Sequence, residues 1–174
     1  QFVVVHNGII ENFISLREVL EAEGHVLTSQ TDTEILAHLV ARAYDGDLVA
    51  AVRAAVAQAE GAYALVVMSA FEPGRIIAVR RISPLVVGLG EDETFLASDI
   101  PAVLHHTRDF LIIEDGELVI VTADGATVEK IEGGAVVGEP LHIEWDAAQA
   151  EKGGYDHFML KEINEQPAVI TETI

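Results

Sequence analysis

The chain has 174 residues, half of them hydrophobic, which suits one domain with a sizeable core and argues against intrinsic disorder. Lys and Arg number 10 against 29 Asp and Glu, a formal charge of -19, so a bare nucleic-acid or anionic lipid surface would be repelled. Cysteine is absent, which excludes disulfides, thiolate metal sites and a cysteine nucleophile within these residues.

Phe2 to Val5 is an apolar, β-branched run bounded by Asn7-Gly8, and predicts a short buried strand ending in a turn. A helix should follow, with Asn12 as N-cap, Phe13, Leu16 and Leu20 at helical spacing, and Gly24 as the stop. Thr31 and Glu34 have the spacing of a capping box ahead of Ile35, Leu36, Leu39 and Val40, which places Asp32 in the first turn of a second helix. Asp47 can cap a third helix carrying Leu48, Val52, Ala55 and Val56, ended near Gly61.

Beyond Ala62 the pattern changes to short β runs: Tyr63 to Met68, Ile76 to Arg80, Leu85 to Leu89, Phe95 to Ala97, Phe110 to Ile113, Leu118 to Val121 and Thr127 to Ile131. Pro73-Gly74, Asp115-Gly116 and Asp124-Gly125 separate several of them, and Asp-Gly between apolar runs is a strong hairpin cue. A short helix is expected at Ile100-Pro101 behind Asp99, and a last one from Lys152 to Glu165, before Pro167. Helices on an antiparallel-rich sheet make an α+β layered domain. No apolar run approaches the roughly 18 residues of a membrane-spanning helix, and no signal-peptide pattern opens the chain. The start inside an apolar run without Met, and the weakening pattern from Gln166 to Ile174, give the expectation of a piece of something longer, and a cytoplasmic location is expected.

Among groups that can do chemistry, His6-Asn7-Gly8 stands out. An Asn amide beside a Gly backbone N–H can aim two donors at one developing oxyanion, although Asn-Gly is also a common turn. Asp32 could fix a substrate ammonium group, and an acid in a first helical turn is equally favoured by the helix dipole. His105-His106 with Asp109 lacks metal-ligand spacing, and Arg80-Arg81 before Ser83-Pro84 reads as solvated or ion-paired. Gly88-Leu89-Gly90 runs into Glu91-Asp92-Glu93 where a phosphate would sit, so nucleotide binding is not supported.

Several phrases taken together carry a resemblance: Val3 to Asn12, Thr31-Asp32-Thr33-Glu34, Ser83-Pro84-Leu85-Val86, Ala97-Ser98-Asp99, and Tyr155 to Ile163 with Glu165-Gln166-Pro167. In order and interval they resemble the glutaminase domain of the glutamine:fructose-6-phosphate amidotransferase family, over essentially the whole chain. The resemblance implies an N-terminal-nucleophile hydrolase fold of the class II glutamine amidotransferases: stacked antiparallel sheets between helical layers, incomplete here. It assigns residues 1–165 to the later portion of the glutaminase domain and 166–174 to the start of a linker toward sugar-isomerase domains.

The same resemblance implies that the Asn7 side chain and the Gly8 backbone form the oxyanion hole for the glutamine amide, and that Asp32 binds the substrate's α-amino group. The family's nucleophile is an N-terminal Cys, which this sequence lacks, so the piece alone is expected to be inactive. The implied parent transfers the glutamine amide nitrogen to fructose 6-phosphate, giving glucosamine 6-phosphate and glutamate. No metal or organic cofactor is implied, nor nucleic acid or membrane, and the parent is expected to be a homo-oligomer. Two other readings stay open: a non-catalytic binding module that kept the fold, and another enzyme of the class such as amidophosphoribosyltransferase. Loss of the early strands would leave an unpaired sheet edge, with self-association as the expected consequence.

Overall fold

A computed structural model describes residues 1–144 and 153–173. The chain divides into two units, Gln1–His142 and Ile143–Ile174. The first begins with a strand, β1 (Phe2–Ile10), followed by three helices: α1 (Phe13–Ala22), α2 (Asp32–Ala43) and α3 (Leu48–Val56). Next come β2 (Gly61–Ser69), β3 (Ile76–Arg81), β4 (Val86–Leu89) and β5 (Thr94–Ala97), and a 3-10 turn at Ile100–Ala102. The unit closes with β6 (Asp109–Ile112), β7 (Glu117–Thr122), β8 (Gly125–Lys130), β9 (Ala135–Val136) and β10 (Leu141–His142).

The strands form two antiparallel sheets, one in the order β1-β2-β3-β7-β8-β9 and one in the order β10-β6-β4-β5. Alternation along β2 explains the layering. Tyr63, Leu65 and Val67 point to one face and join a core with Leu20, Leu36, Leu39 and Val52 of the helices. Ala64 points to the other face, where with Ala78, Val119 and Val121 it meets Val87 and Leu111 of the second sheet and Leu85 and Ile113 just outside its strands. The small side chains Ala64 and Ala78 at this junction let the sheets approach. Among the described residues of this unit the helices cover one face of the first sheet, giving helix, sheet and sheet layers, the stacked antiparallel sheets that the resemblance implied.

The expected elements from β2 to β8 are present, and Gly74, Gly116 and Gly125 occupy the positive φ their turns require. Gly24 ends α1 as expected: its N–H bonds Glu21 O and the His25 N–H bonds Leu20 O, satisfying two terminal carbonyls. Asp47 caps α3 through Val49 N and Ala50 N.

Three local expectations are corrected. β1 does not turn at Asn7-Gly8; it stays paired with β2 through Ile10 opposite Gly61, because nine consecutive partners on β2 compete successfully with the local turn preference. Asn12 makes no cap bond, since its side-chain amide is drawn to Gln58 O at 2.8 Å and Glu60 N at 3.0 Å. Thr31 and Glu34 form no capping box, because the Glu34 carboxylate is taken by Thr28 and Ser29.

In the second unit, α4 spans Phe158–Thr173. The expected end before Pro167 is not observed; the proline lies inside the helix, where it removes one backbone bond without stopping the residues beyond. The stretch from Gln166 read as linker is thus helical to Thr173. Lys152, the expected helix start, lies outside the described residues. No helix among the described residues is long and apolar enough to cross a membrane.

Candidate functional site

The site is built on the end of β1, an edge strand of the first sheet. Val3, Val5, Asn7 and Ile9 alternate onto the side away from the helices, and the three apolar ones are 61%, 63% and 66% exposed. Asn7 faces a cavity of about 120 Å³, shared with Val5 on its own strand and with Pro84, Leu85, Ala97 and Ser98 at the edge of the second sheet. A polar amide at the mouth of a mainly apolar cleft is the arrangement in which a donor is stronger than it would be in water.

Gly8 follows with a φ of +132°. A Cβ there would lie 2.1 Å from Ala62 O and 2.7 Å from Tyr63 Cα, so β2 excludes every other residue type at this point. Backbone N–H groups alternate between the two edges of a strand. The Ile10 N–H leaves β1 on the open edge, where it meets Asp32 at 2.9 Å. By the same alternation the Gly8 N–H, two residues earlier, is expected on that edge.

Asp32 is the first residue of α2. One carboxylate oxygen, Oδ2, accepts the Ile10 N–H; the other lies 3.7 Å from His6 Nδ1. The turn ahead of Asp32 is fixed by Glu34, which accepts both the N–H and the hydroxyl of Thr28 and of Ser29 at 2.7 to 2.8 Å. The backbone bond from Thr28 and the bonds from Ser29 hold its carboxyl at about 2, against an ordinary 4.5. Asp32 is therefore placed from two directions, by the strand end and by a clamped turn.

His6 was grouped with Asn7 and Gly8 in the sequence, yet it faces the opposite side. Its side chain is 2% exposed, with Nδ1 3.0 Å from Thr33 Oγ1 and Nε2 buried without a hydrogen-bond partner among the described residues. Burial pushes the imidazole below its usual value, and the Asp32 charge opposes this in part. Asn7 and Asp32 are consequently brought to the same few residues of β1, with Asp32 outside the lining of the cavity that Asn7 faces. Asn7 opens toward the second sheet, whereas Asp32 sits at the strand edge beside His6.

The remaining polar candidates are engaged elsewhere. His106 stacks on Phe95 with centroids 4.8 Å apart, and Asp109 pairs with His142 at 2.7 Å. Arg80 donates to Ile113 O, and Arg81 to Ala59 O at 2.9 Å.

Comparison with known proteins places the chain in a family. The family described as "Glutamine amidotransferase domain" matches residues 1–105, the stretch that holds Asn7, Gly8 and Asp32. The chain belongs to the glutamine amidotransferase domain family. A glutamine-fructose-6-phosphate aminotransferase (isomerizing) of Clostridium tetani is 56% identical over 98% of the chain and 28% of its own length. One from Symbiobacterium thermophilum is 52% identical over 100% of the chain and 29% of its own. The chain thus spans less than a third of the length of these relatives. Among solved structures, the glutamine phosphoribosylpyrophosphate amidotransferase of B. subtilis, complexed with ADP and GMP, superposes with a TM-score of 0.68 at 26% identity, over 77% of this chain and 30% of that one. The fold is accordingly that of the N-terminal-nucleophile glutamine amidotransferases, α+β with antiparallel sheets, as the sequence resemblance implied.

Proposed function

We propose that this domain is the later portion of the glutaminase domain of a glutamine:fructose-6-phosphate amidotransferase. A thiol from sequence outside these residues would attack the glutamine side-chain amide, forming a thioester and releasing ammonia, and water would then free glutamate. The carbonyl oxygen becomes negatively charged at each tetrahedral stage. The Asn7 side-chain N–H and the Gly8 backbone N–H would stabilise it there, an effect worth more in the transition state than in the ground state. Asp32 would hold the substrate α-ammonium: Oδ2 is committed to Ile10 N–H, leaving Oδ1 to receive a cation.

Ammonia would pass to fructose 6-phosphate bound in further domains, residues 166–174 leading toward them, in a cytoplasmic homo-oligomer. The observation that carries this reading is the 56% identity across 98% of the chain to a relative named for that reaction. The structural likeness to a phosphoribosylpyrophosphate amidotransferase favours a second reading, a sibling enzyme of that class, but at about half the identity.

The experiment is to purify the full-length product of the gene that encodes this segment and supply glutamine with fructose 6-phosphate. Formation of glucosamine 6-phosphate and glutamate in equal amounts is expected. Glutamate formation that responds to phosphoribosyl pyrophosphate instead would favour the sibling, and no glutamate release with any acceptor would favour a binding module. The 174-residue chain by itself should release no glutamate above a buffer blank.

A further inference from the structure

Where the chain crosses from the first sheet to the second, between β3 and β4, Ile82 has a φ of +66°. It is the one non-glycine residue at positive φ among the described residues. A β-branched side chain is poorly suited to that region. The Ser83 N–H bonds Arg81 O at 2.7 Å, closing a three-residue turn around Ile82. Core packing does not account for the strain, since the Ile82 side chain is 63% exposed. What holds the turn is a carboxylate from another hairpin: Asp115 Oδ1 accepts the Ile82 N–H at 2.6 Å.

Asp115 is itself well fixed. Its neighbour Gly116 donates to Arg80 O at 3.1 Å and accepts from Ile131 N at 2.9 Å. The same turn is closed by Glu117, only 3% exposed, which accepts the Glu114 N–H at 2.7 Å and pairs with Lys130 at 2.8 Å. A rigid hairpin thus grips a strained turn, and the residues leaving that turn, Pro84 and Leu85, face the cavity that holds Asn7.

We propose that Asp115 and Ile82 form a strained clamp that sets the Pro84-Leu85 wall against Asn7, making both of them positioning residues for the oxyanion donor. Strain of this kind persists where surrounding structure over-determines it, commonly beside functional groups. The proposal rests on the assignment of Asn7 as an oxyanion donor. The clamp acts on the aim of one amide, so it should influence the transition state and leave glutamine binding through Asp32 nearly untouched.

The test uses Asp115→Ala, Asp115→Asn, Ile82→Gly and the double variant Asp115→Ala with Ile82→Gly in the full-length enzyme, with Asn7→Ala as reference. Asp115→Ala should lower kcat for glutamine hydrolysis about tenfold, the scale of a sub-ångström misplacement, with KM within about twofold. Asp115→Asn keeps the acceptor oxygen and should restore most of the loss. Because glycine holds a positive φ without strain, adding Asp115→Ala to Ile82→Gly should cost less than about twofold more. A second readout needs no activity: in the 174-residue chain, Asp115→Ala should shift the Asn7 side-chain amide resonances while the thermal unfolding remains cooperative. Unchanged kcat, or losses that multiply independently in the double variant, or unmoved Asn7 resonances would overturn the clamp. If Asn7→Ala lowers kcat by about 100-fold or more and Asp115→Ala does not affect it, the clamp fails and the proposed function stands.

Discussion

The Asp32 carboxylate accepts the backbone N–H of Ile10 at 2.9 Å, tying the first residue of a helix to the last residue of an edge strand. The bond satisfies a donor that no neighbouring strand pairs among the described residues, and it orients the carboxylate proposed to bind the substrate ammonium. Asp32→Ala should therefore cost about 1–3 kcal/mol in urea unfolding, the range for losing a charged acceptor to a backbone donor. Asp32→Asn should cost less than half of that. In the full-length enzyme Asp32→Asn should raise KM for glutamine by at least about tenfold, roughly the value of one charge-assisted bond. An unchanged KM would remove Asp32 from the substrate site.

Gly8 is held between a positive φ and the backbone of β2. Gly8→Ala should destabilise by about 3 kcal/mol or more, since the backbone conformation and a clash with Ala62 O act together. Gly125, also at positive φ but with open space at its Cβ position, is the internal comparison; Gly125→Ala should cost only about 1–2 kcal/mol. Equal losses at the two positions would show that the close approach of β2 does not matter.

Glu34 gives the turn before Asp32 a defined acid sensitivity. Its folded value is about 2 against an ordinary 4.5, so its contribution is complete above 4.5 and is lost as pH falls through the folded value. The stability gap between the wild-type chain and Glu34→Gln should be widest near neutrality and shrink from about pH 4.5 to about pH 2. Carbon-detected NMR of the Glu34 carboxyl should show a midpoint at about 2; an ordinary midpoint would mean that Thr28 and Ser29 do not hold it.

His6 should behave in the corresponding way for a base. Burial lowers its folded value below 6.5, so the unfolded chain takes up a proton that the folded chain refuses. Its contribution is present above 6.5 and is lost as pH falls from there through the folded value. The His6 ring resonances should titrate with a midpoint under 6.5; a midpoint at or above it would mean that the Asp32 charge outweighs burial.

Much of the architecture was legible because it depends on short-range signals. The strands from Tyr63 onward alternate in hydrophobicity and are punctuated by Pro-Gly and Asp-Gly, and each of those turns formed. The errors arose where a local preference met a distant partner. Asn7-Gly8 has turn chemistry, yet β2 captures it into a long pairing. Glu34 has capping-box spacing, yet the hydroxyls and N–H groups of Thr28 and Ser29 hold it more fully. Asn12 is drawn from its cap by Gln58 and Glu60, far along the chain.

The candidate site was only partly legible. Residue type marked Asn7, Gly8 and Asp32, and the resemblance gave them roles. No sequence signal pointed to Ile82, because positive φ at an isoleucine is a product of the fold, nor to Asp115 as its anchor. The two-residue strands β9 and β10 were missed for lack of any periodicity over so short a span.

The account turns on Asn7, and the most direct measurement is the steady-state hydrolysis of glutamine by Asn7→Ala in the full-length enzyme. Loss of one oxyanion donor should lower kcat by about 100- to 1,000-fold while KM changes little. A variant that keeps a wild-type kcat, or that loses only affinity for glutamine, would contradict the assignment.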